Sequence, residues 1–118
     1  MKTSELSGAA LDWAVLMAEG WSAITATDNG GTELWVHKDG KYKNPKLYHP
    51  SNNWMQGGPI IEREKIGVDC DDQGVWFASY DLSAGTSWGA TGTTPLTAAM
   101  RCYVASKLGD EVQIPEGL

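Results

Sequence analysis

The chain has 118 residues and a formal net charge of −6. Apolar residues make up 42% of it and charged residues 20%, which is typical of a globular domain and excludes collagen, coiled-coil and wholly disordered chains. A chain of this length buries one core, so we expect a single domain over residues 1–118. Because an acidic protein repels phosphate backbones, general nucleic-acid binding is not expected.

Targeting signals and cysteines indicate the compartment. No apolar run approaches the roughly 20 residues that cross a bilayer, and Asp12 interrupts the stretch from Gly8 to Ala18, which therefore does not resemble a signal peptide. Two cysteines, Cys70 and Cys102, are too few for a disulfide framework. We expect a cytoplasmic protein with reduced thiols and no membrane association.

The first half of the chain predicts a helix, a strand and a long loop. Ser7 is placed to cap the helix and Gly20 to end it, and apolar residues between them repeat at helical spacing. Residues Thr32–His37 alternate in polarity, which predicts a strand. Residues Tyr42–Pro59 carry three prolines and several aromatic residues, which is typical of an ordered functional loop.

The second half predicts a hairpin and a second loop. Strands are expected at Ile66–Cys70 and Val75–Tyr80, joined by a turn in which Gly74 adopts a positive φ. Residues Ser83–Thr94 are rich in Gly, Ser and Thr around Trp88, and predict a second long loop.

The last helix has the clearest signals. Thr94 is the expected N-cap, Pro95 the first helical residue and Gly109 the end, and residues 110–118 are expected to form an exposed tail. The order of elements predicts an α+β fold, in which an N-terminal and a C-terminal helix pack on a small antiparallel sheet and two long loops carry aromatic residues.

The candidate site lies in the central segment. Six tryptophans and four tyrosines accompany a single phenylalanine, and such side chains suit surfaces that hold ligands or partners. A Gly-Gly turn can bring backbone amides to an anion, Trp54 can stack on a planar ring, and Arg63 can bind phosphate. A rigid turn that caps a short helix explains the segment equally well. The candidate ligand-binding residues are Tyr48, Asn53, Trp54, Gln56, Gly57, Gly58, Pro59, Arg63 and Trp88.

Other charged clusters carry less chemistry. Four lysines between Lys38 and Lys46 form a positive strip, which either attracts phosphate or an acidic partner or simply protects a hairpin edge. Glu62 and Glu64 are flanked by basic residues and do not form an acid–base pair. His37 and His49 lack metal-ligand spacing, so we predict no catalytic residues, no metal and no cofactor.

Three blocks of sequence stand out along the chain. The first block comprises Ser4–Leu6, Ala10–Val15 and Glu19-Gly20. The central block has Pro50-Ser51, then Trp54, then the run from Gln56 to Glu64. The last block comprises Thr94–Leu96, Ala98–Arg101 and Val104–Val112. In this order the blocks resemble the NinX-like proteins of lambdoid phages and prophages. Relatives usually show an acidic residue before the central Trp, where this chain has Asn53, and this difference implies a different ligand preference if the acid contacts a ligand.

The resemblance implies a context, an accessory protein in the cytoplasm of the infected bacterial host, and no specific activity. Three functions fit the residues. The first is a non-enzymatic module that sequesters a small phosphorylated, nucleotide-type host defence signal. The second is a modulator that binds a host enzyme or a phage recombination factor, and the third is a small hydrolase. Homo-oligomers are compatible with each. A sequestering module predicts Trp54, Gln56, Arg63 and Trp88 around one pocket, whereas a protein-binding modulator predicts them on a flat or convex patch.

Overall fold

A computed structural model describes residues 1–28, 30–80, 89–116 and 118. It confirms the α+β class, with helices near both ends. In chain order the helices and strands are α1 (Gly8–Ala18), β1 (Ser22–Asp28), β2 (Gly31–Lys38), β3 (Lys41–Lys43), α2 (Trp54–Glu64), β4 (Gly67–Cys70), β5 (Trp76–Ser79), β6 (Ala90–Gly92) and α3 (Pro95–Leu108). Within the described residues, no helix is long and apolar enough to cross a membrane.

The strands form two antiparallel sheets of three strands each, with the orders β1-β2-β3 and β4-β5-β6. Strands β2, β4 and β5 lie where the sequence predicts them. Strands β1 and β3 were not predicted, because β1 alternates small and polar residues with a single Ile, and β3 consists of Lys41, Tyr42 and Lys43. Both strands pair with β2, one on each side of it.

Helix α3 is the centre of the molecule. Its Met100, Tyr103 and Val104 are fully or almost fully buried, and they share a core cluster with Leu11 and Val15 of α1. A smaller cluster of Trp13, Leu16 and Val36 joins the other face of α1 to the first sheet. Helix α1 therefore contacts both layers.

The prediction of a long loop at Tyr42–Pro59 is wrong, because most of this segment forms a strand, a 3-10 turn and the start of a helix. Strand β3 is followed by a 3-10 turn at Pro45–Leu47, and α2 begins at Trp54. Asn53 is the N-cap of α2, since its Oδ1 accepts a hydrogen bond from the Met55 amide at 2.9 Å. The glycines that suggested a turn are inside the helix.

The predicted helix ends are confirmed in three places out of four. Gly20 and Gly109 have φ values of 92° and 88°, and Thr94 Oγ1 accepts from the Thr97 amide at 3.1 Å. Ser7 occupies the N-cap position of α1, but its side chain makes no capping hydrogen bond. Gly74, in the turn before β5, has the expected positive φ of 84°.

Two further expectations change. Part of the loop predicted at 83–94 is strand β6, while Trp88 lies outside the described residues. The tail expected at 110–118 is partly tied down, because the Val112 amide donates to the Met1 carbonyl at 3.0 Å and the Thr3 amide to the Asp110 carbonyl at 2.8 Å. Val112 and Ile114 pack against the core.

Candidate functional site

A cleft of about 450 Å³ opens beside β3, and we call it the aromatic cleft. Strand β2, strand β3, the 3-10 turn and α2 each contribute to its walls. Its volume lies in the usual range for sites that bind small ligands, about 300–1,000 Å³. The residues that line it are Trp35, Tyr42, Lys43, Asn44, Leu47, Tyr48 and Gln56.

Lys43 is the one charged side chain among these lining residues. Its Nζ lies 4.8 Å from the ring centroids of both Trp21 and Tyr48, so two cation–π contacts hold the ammonium group. Burial raises the pKa of the Tyr48 phenol to about 12, and the nearby Glu19 carboxylate adds to the rise. At neutral pH the cleft therefore presents one cation and a neutral phenol.

Gln56 builds the wall of the aromatic cleft from α2. Its Oε1 accepts a hydrogen bond from the His49 amide at 2.6 Å, and its Nε2 donates to the Leu47 carbonyl at 3.2 Å. The side chain thus ties the segment after β3 to the first turn of α2. Asn44 Oδ1 is likewise used, because it accepts from the Lys46 amide and caps the 3-10 turn.

Trp54 faces a different cleft. It is the first residue of α2, its side chain is 57% exposed, and it lines a smaller cleft of about 260 Å³ together with residues of α1 and α3. Asn53 beside it caps α2. Because aspartate caps a helix as well as asparagine does, the expected acidic residue at this position would have a structural explanation that needs no ligand.

Arg63 lines neither cleft. Its Nη2 donates to Glu19 Oε1 at 3.1 Å and to the Tyr103 hydroxyl at 3.2 Å, and its Nε donates to Glu64 Oε2 at 3.0 Å. Burial opposes its charge, but the hydrogen bonds to Glu64 and Glu19 outweigh that effect and raise the pKa of the guanidinium. The arginine joins the three helices, which leaves it poorly placed to receive a phosphate.

The two glycines of the central segment have different surroundings. A Cβ on Gly57 would overlap the Pro50 carbonyl oxygen and would lie 2.7 Å from Leu96 Cδ2 of α3. Gly58 has more room, with Trp54 Cε3 at 3.8 Å. Both are helical, so neither forms the anion-binding turn that the sequence suggested. Pro59 follows them on the exposed side of α2.

The structure joins three polar residues that sequence reasoning left apart. Asp12 is 3% exposed, and its Oδ1 accepts from the Ser51 amide at 2.8 Å, while its Oδ2 lies 3.5 Å from His49 Nδ1. The available signal was a lone carboxylate in the apolar stretch of α1. Buried carboxylates need partners, and this one fastens the segment before α2 to α1.

The lysine strip is divided between several contacts. Lys38 donates to the Glu19 carbonyl at 2.7 Å, Lys43 contacts two rings, and Lys46 lines a third cleft with Glu33 and others. The aspartates after β4 form a turn, since Asp71 Oδ1 accepts from two backbone amides. In the described part of the chain, no group of three or more His, Cys, Asp or Glu residues could hold a metal ion.

Comparison with known proteins places the chain in a family. No curated protein sequence matches it. A family model described as "Bacteriophage P22, NinX" matches residues 2–107, which is most of the chain and includes both clefts. The chain therefore belongs to the phage P22 NinX family.

Proposed function

We propose that this phage protein binds a small phosphorylated, nucleotide-type ligand in the aromatic cleft, without catalysis. One observation carries the proposal: an ammonium group is held between aromatic rings in a cleft of ligand size. A planar base can stack on Trp35 or Tyr42, and Lys43 offers a positive charge to a phosphate. Two candidate residues from the sequence, Tyr48 and Gln56, line this cleft.

The chemistry of the lining favours binding over turnover. Its titratable side chains are Lys43 and two tyrosines, and the raised pKa of Tyr48 makes that phenol a hydrogen-bond donor and not a base at neutral pH. In the nearest arrangement to a hydrolase, the pair of Asp12 and His49, the Asp12 carboxylate already accepts a hydrogen bond from the Ser51 amide. The ligand is thus expected to leave the cleft unchanged.

For a phage accessory protein, binding without turnover serves sequestration. We propose that the ligand is a host defence signal, removed from solution in the cytoplasm of the infected cell. This part of the proposal rests on the family membership. It requires a tight complex and an abundant protein, since each chain removes one ligand molecule per site.

A second candidate function, binding to a host or phage protein, has its own supporting observation. Near the aromatic cleft, Leu47 is 73% exposed and Tyr42 64%, and Met55 on the first turn of α2 is 87% exposed. Exposed aromatic and aliphatic side chains of this kind are typical of protein interfaces.

Thermal unfolding with a panel of nucleotides, cyclic oligonucleotides and ADP-ribose derivatives tests the first function. A ligand at a hundred times its Kd adds about 2.7 kcal/mol of stability, which raises the Tm by roughly 10 °C for a domain of this size. The test variant is Tyr42→Ala, because this exposed side chain contributes little to folding. The matched control is Trp54→Ala, which removes an exposed aromatic group from the other cleft.

We expect one compound to shift the Tm of the wild type and of Trp54→Ala, and the shift to vanish in Tyr42→Ala. A shift lost in Trp54→Ala and kept in Tyr42→Ala contradicts the assignment to the aromatic cleft. No shift with any compound favours the second function. In that case, the loss of a captured partner in Leu47→Ser and Met55→Ser variants tests the exposed apolar surface.

A further inference from the structure

Strand β1 is an edge strand without the usual protection. It has seven residues, and in the described part of the chain β2 is its only neighbour in the sheet. Residues 22–27 are exposed and contain no charged residue and no proline, and the register with β2 runs without a bulge. Natural edge strands are usually short, or carry lysine, proline or a bulge, because an open edge can pair with a strand of another chain. The outer side of β1 is therefore free to accept such a strand.

The other edges that the structure describes are shorter or charged. On the opposite side of the same sheet, β3 has three residues, of which Lys41 and Lys43 are charged. The edges of the second sheet, β4 and β6, have four and three residues. Among the described strands, β1 thus offers the longest uncharged edge.

The backbone groups of β1 that face outward can be identified from the turn between β2 and β3. The two central residues of this turn have φ values of 51° and 77°, which is a type I′ turn, so Lys38 and Lys41 bond to each other. Alternate residues of a central strand bond to opposite neighbours, so the odd-numbered residues of β2 bond to β1. Their partners in the register are the even-numbered residues of β1. The odd-numbered residues, Ala23, Thr25 and Thr27, therefore direct their N–H and C=O groups to the open edge.

We propose that β1 pairs antiparallel with β1 of a second copy of this chain, across a two-fold axis at Thr25. The two three-stranded sheets then form one sheet of six strands. A two-fold contact requires an edge that is complementary to itself. In this register Thr25 lies opposite Thr25 of the second copy, and Ala23 lies opposite Thr27. Each outward N–H then meets an outward C=O, as in an ordinary antiparallel ladder.

The side chains of β1 suit this register. Ile24 is 38% exposed and pairs with Trp35 of β2. In the dimer it lies opposite Ala26 of the second copy, so Trp35, Ile24 and that alanine form an apolar row across the sheet. On the other face the two Thr25 side chains form a Thr–Thr pair, which is a favourable cross-strand pair. No like charges meet along residues 22–27, because these residues carry none.

The assembly closes at two chains. The six-stranded sheet ends on both sides at β3, where Lys41 and Lys43 disfavour a further strand. Each chain has a net charge of −6, so long-range repulsion opposes the dimer, and screening by salt should strengthen it. No residue of β1 lines the aromatic cleft, so the dimer and the proposed ligand can be tested separately.

Sedimentation velocity over a range of protein concentrations tests the dimer. We expect the wild type to pass from one chain to two as the concentration rises. Thr25→Lys and Thr25→Glu should each raise the Kd of the dimer about tenfold, because two like charges then face each other at the axis. A mixture of these two variants should restore the dimer, because lysine then faces glutamate. The matched control is Thr32→Lys, which adds the same charge to exposed β2, one strand away from the contact, and should leave the Kd unchanged.

Amide hydrogen exchange at low and high protein concentration gives a second measurement that needs no variant. The Ala23, Thr25 and Thr27 amides should gain more protection at high concentration than the Ile24 and Ala26 amides, which already bond to β2. The proposal is overturned if Thr25→Lys and Thr32→Lys form dimers equally well, or if the mixture of variants stays monomeric. A wild type that is monomeric at every concentration also overturns it, and leaves an extended segment of another protein as the occupant of the edge.

Discussion

Substitution of the two adjacent glycines of α2 by alanine should destabilise the protein at Gly57 and not at Gly58. At Gly57 a Cβ would overlap the Pro50 carbonyl and lie 2.7 Å from Leu96 Cδ2. The Pro50 carbonyl cannot move without disturbing the segment held by Asp12, so the overlap is relieved only by moving α2 away from both Pro50 and α3. At Gly58 the nearest atom outside the helix backbone is Trp54 Cε3 at 3.8 Å, an ordinary contact.

The magnitudes follow from two opposing effects. Overpacking a dense core costs about 1–3 kcal/mol, and overlap with backbone places Gly57→Ala near the upper end. Alanine returns about 1 kcal/mol of helix propensity, so we expect a net loss of about 2 kcal/mol and a Tm lowered by roughly 8 °C. Gly58→Ala gains the same helix propensity, but a Cβ on the residue before Pro59 crowds the proline ring and offsets part of the gain. We therefore expect this variant to be as stable as the wild type or slightly more stable.

Urea unfolding followed by tryptophan fluorescence measures both variants, with thermal unfolding as a second measurement. An unchanged m value would show that the two native states are equally compact. The packing argument fails if Gly57→Ala is as stable as the wild type. It also fails if the two variants lose the same amount, because a general glycine requirement would then explain both.

Three further predictions concern the caps, the buried carboxylate and alkaline pH. Thr94→Ala should cost about 1 kcal/mol in urea unfolding because an N-cap is lost, whereas Ser7→Ala, which removes no capping bond, should leave the midpoint unchanged. Asp12→Ala should cost about 1–3 kcal/mol because the buried Ser51 amide loses its acceptor, and Asp12→Asn, which keeps an oxygen there, should cost clearly less. Burial raises the pKa of the Cys102 thiol from 9.0 to about 11. Because the thiol ionises at lower pH in the unfolded chain, the free energy of unfolding should fall as pH rises from 9.0 to about 11. A Cys102→Ala variant whose stability falls by the same amount over that range would rule out this thiol as the cause.

The fold could be predicted where local signals and packing agree. Thr94, Pro95 and Gly109 delimit α3 in the sequence because each residue type has a strong positional preference. For α2 the sequence leaves two interpretations open, a ligand-binding turn and a rigid turn that caps a short helix, since Gly57, Gly58 and Pro59 are individually poor helix formers. The close approach of Pro50, just before the helix, and of Leu96, remote in sequence, requires a glycine at position 57, although glycine is a poor helix former.

The candidate site shows the same limit. Closeness in sequence predicts a shared site only if the segment is a loop, whereas a helix distributes successive side chains around its axis. Trp54 and Gln56 consequently line different clefts, and Arg63 reaches the junction of three helices. Ser51 and Gly8 line a cleft with Trp54 only because of the tertiary structure, and neither has a sequence pattern that indicates a ligand.

The attachment of the first sheet to the rest of the molecule has a consequence for local unfolding. Residues 22–27 of β1 are exposed, and the cluster that fastens the sheet to α1 contains only Val36 as a fully buried strand residue, together with Trp13 and Leu16. A segment with so few buried apolar contacts opens locally at a small cost in free energy. The backbone amides of β1 and β2 should therefore exchange hydrogen with solvent well before those of α3 do. A ligand in the aromatic cleft would then bind a sheet that is only locally stable, and part of its binding energy would be spent on holding that sheet closed.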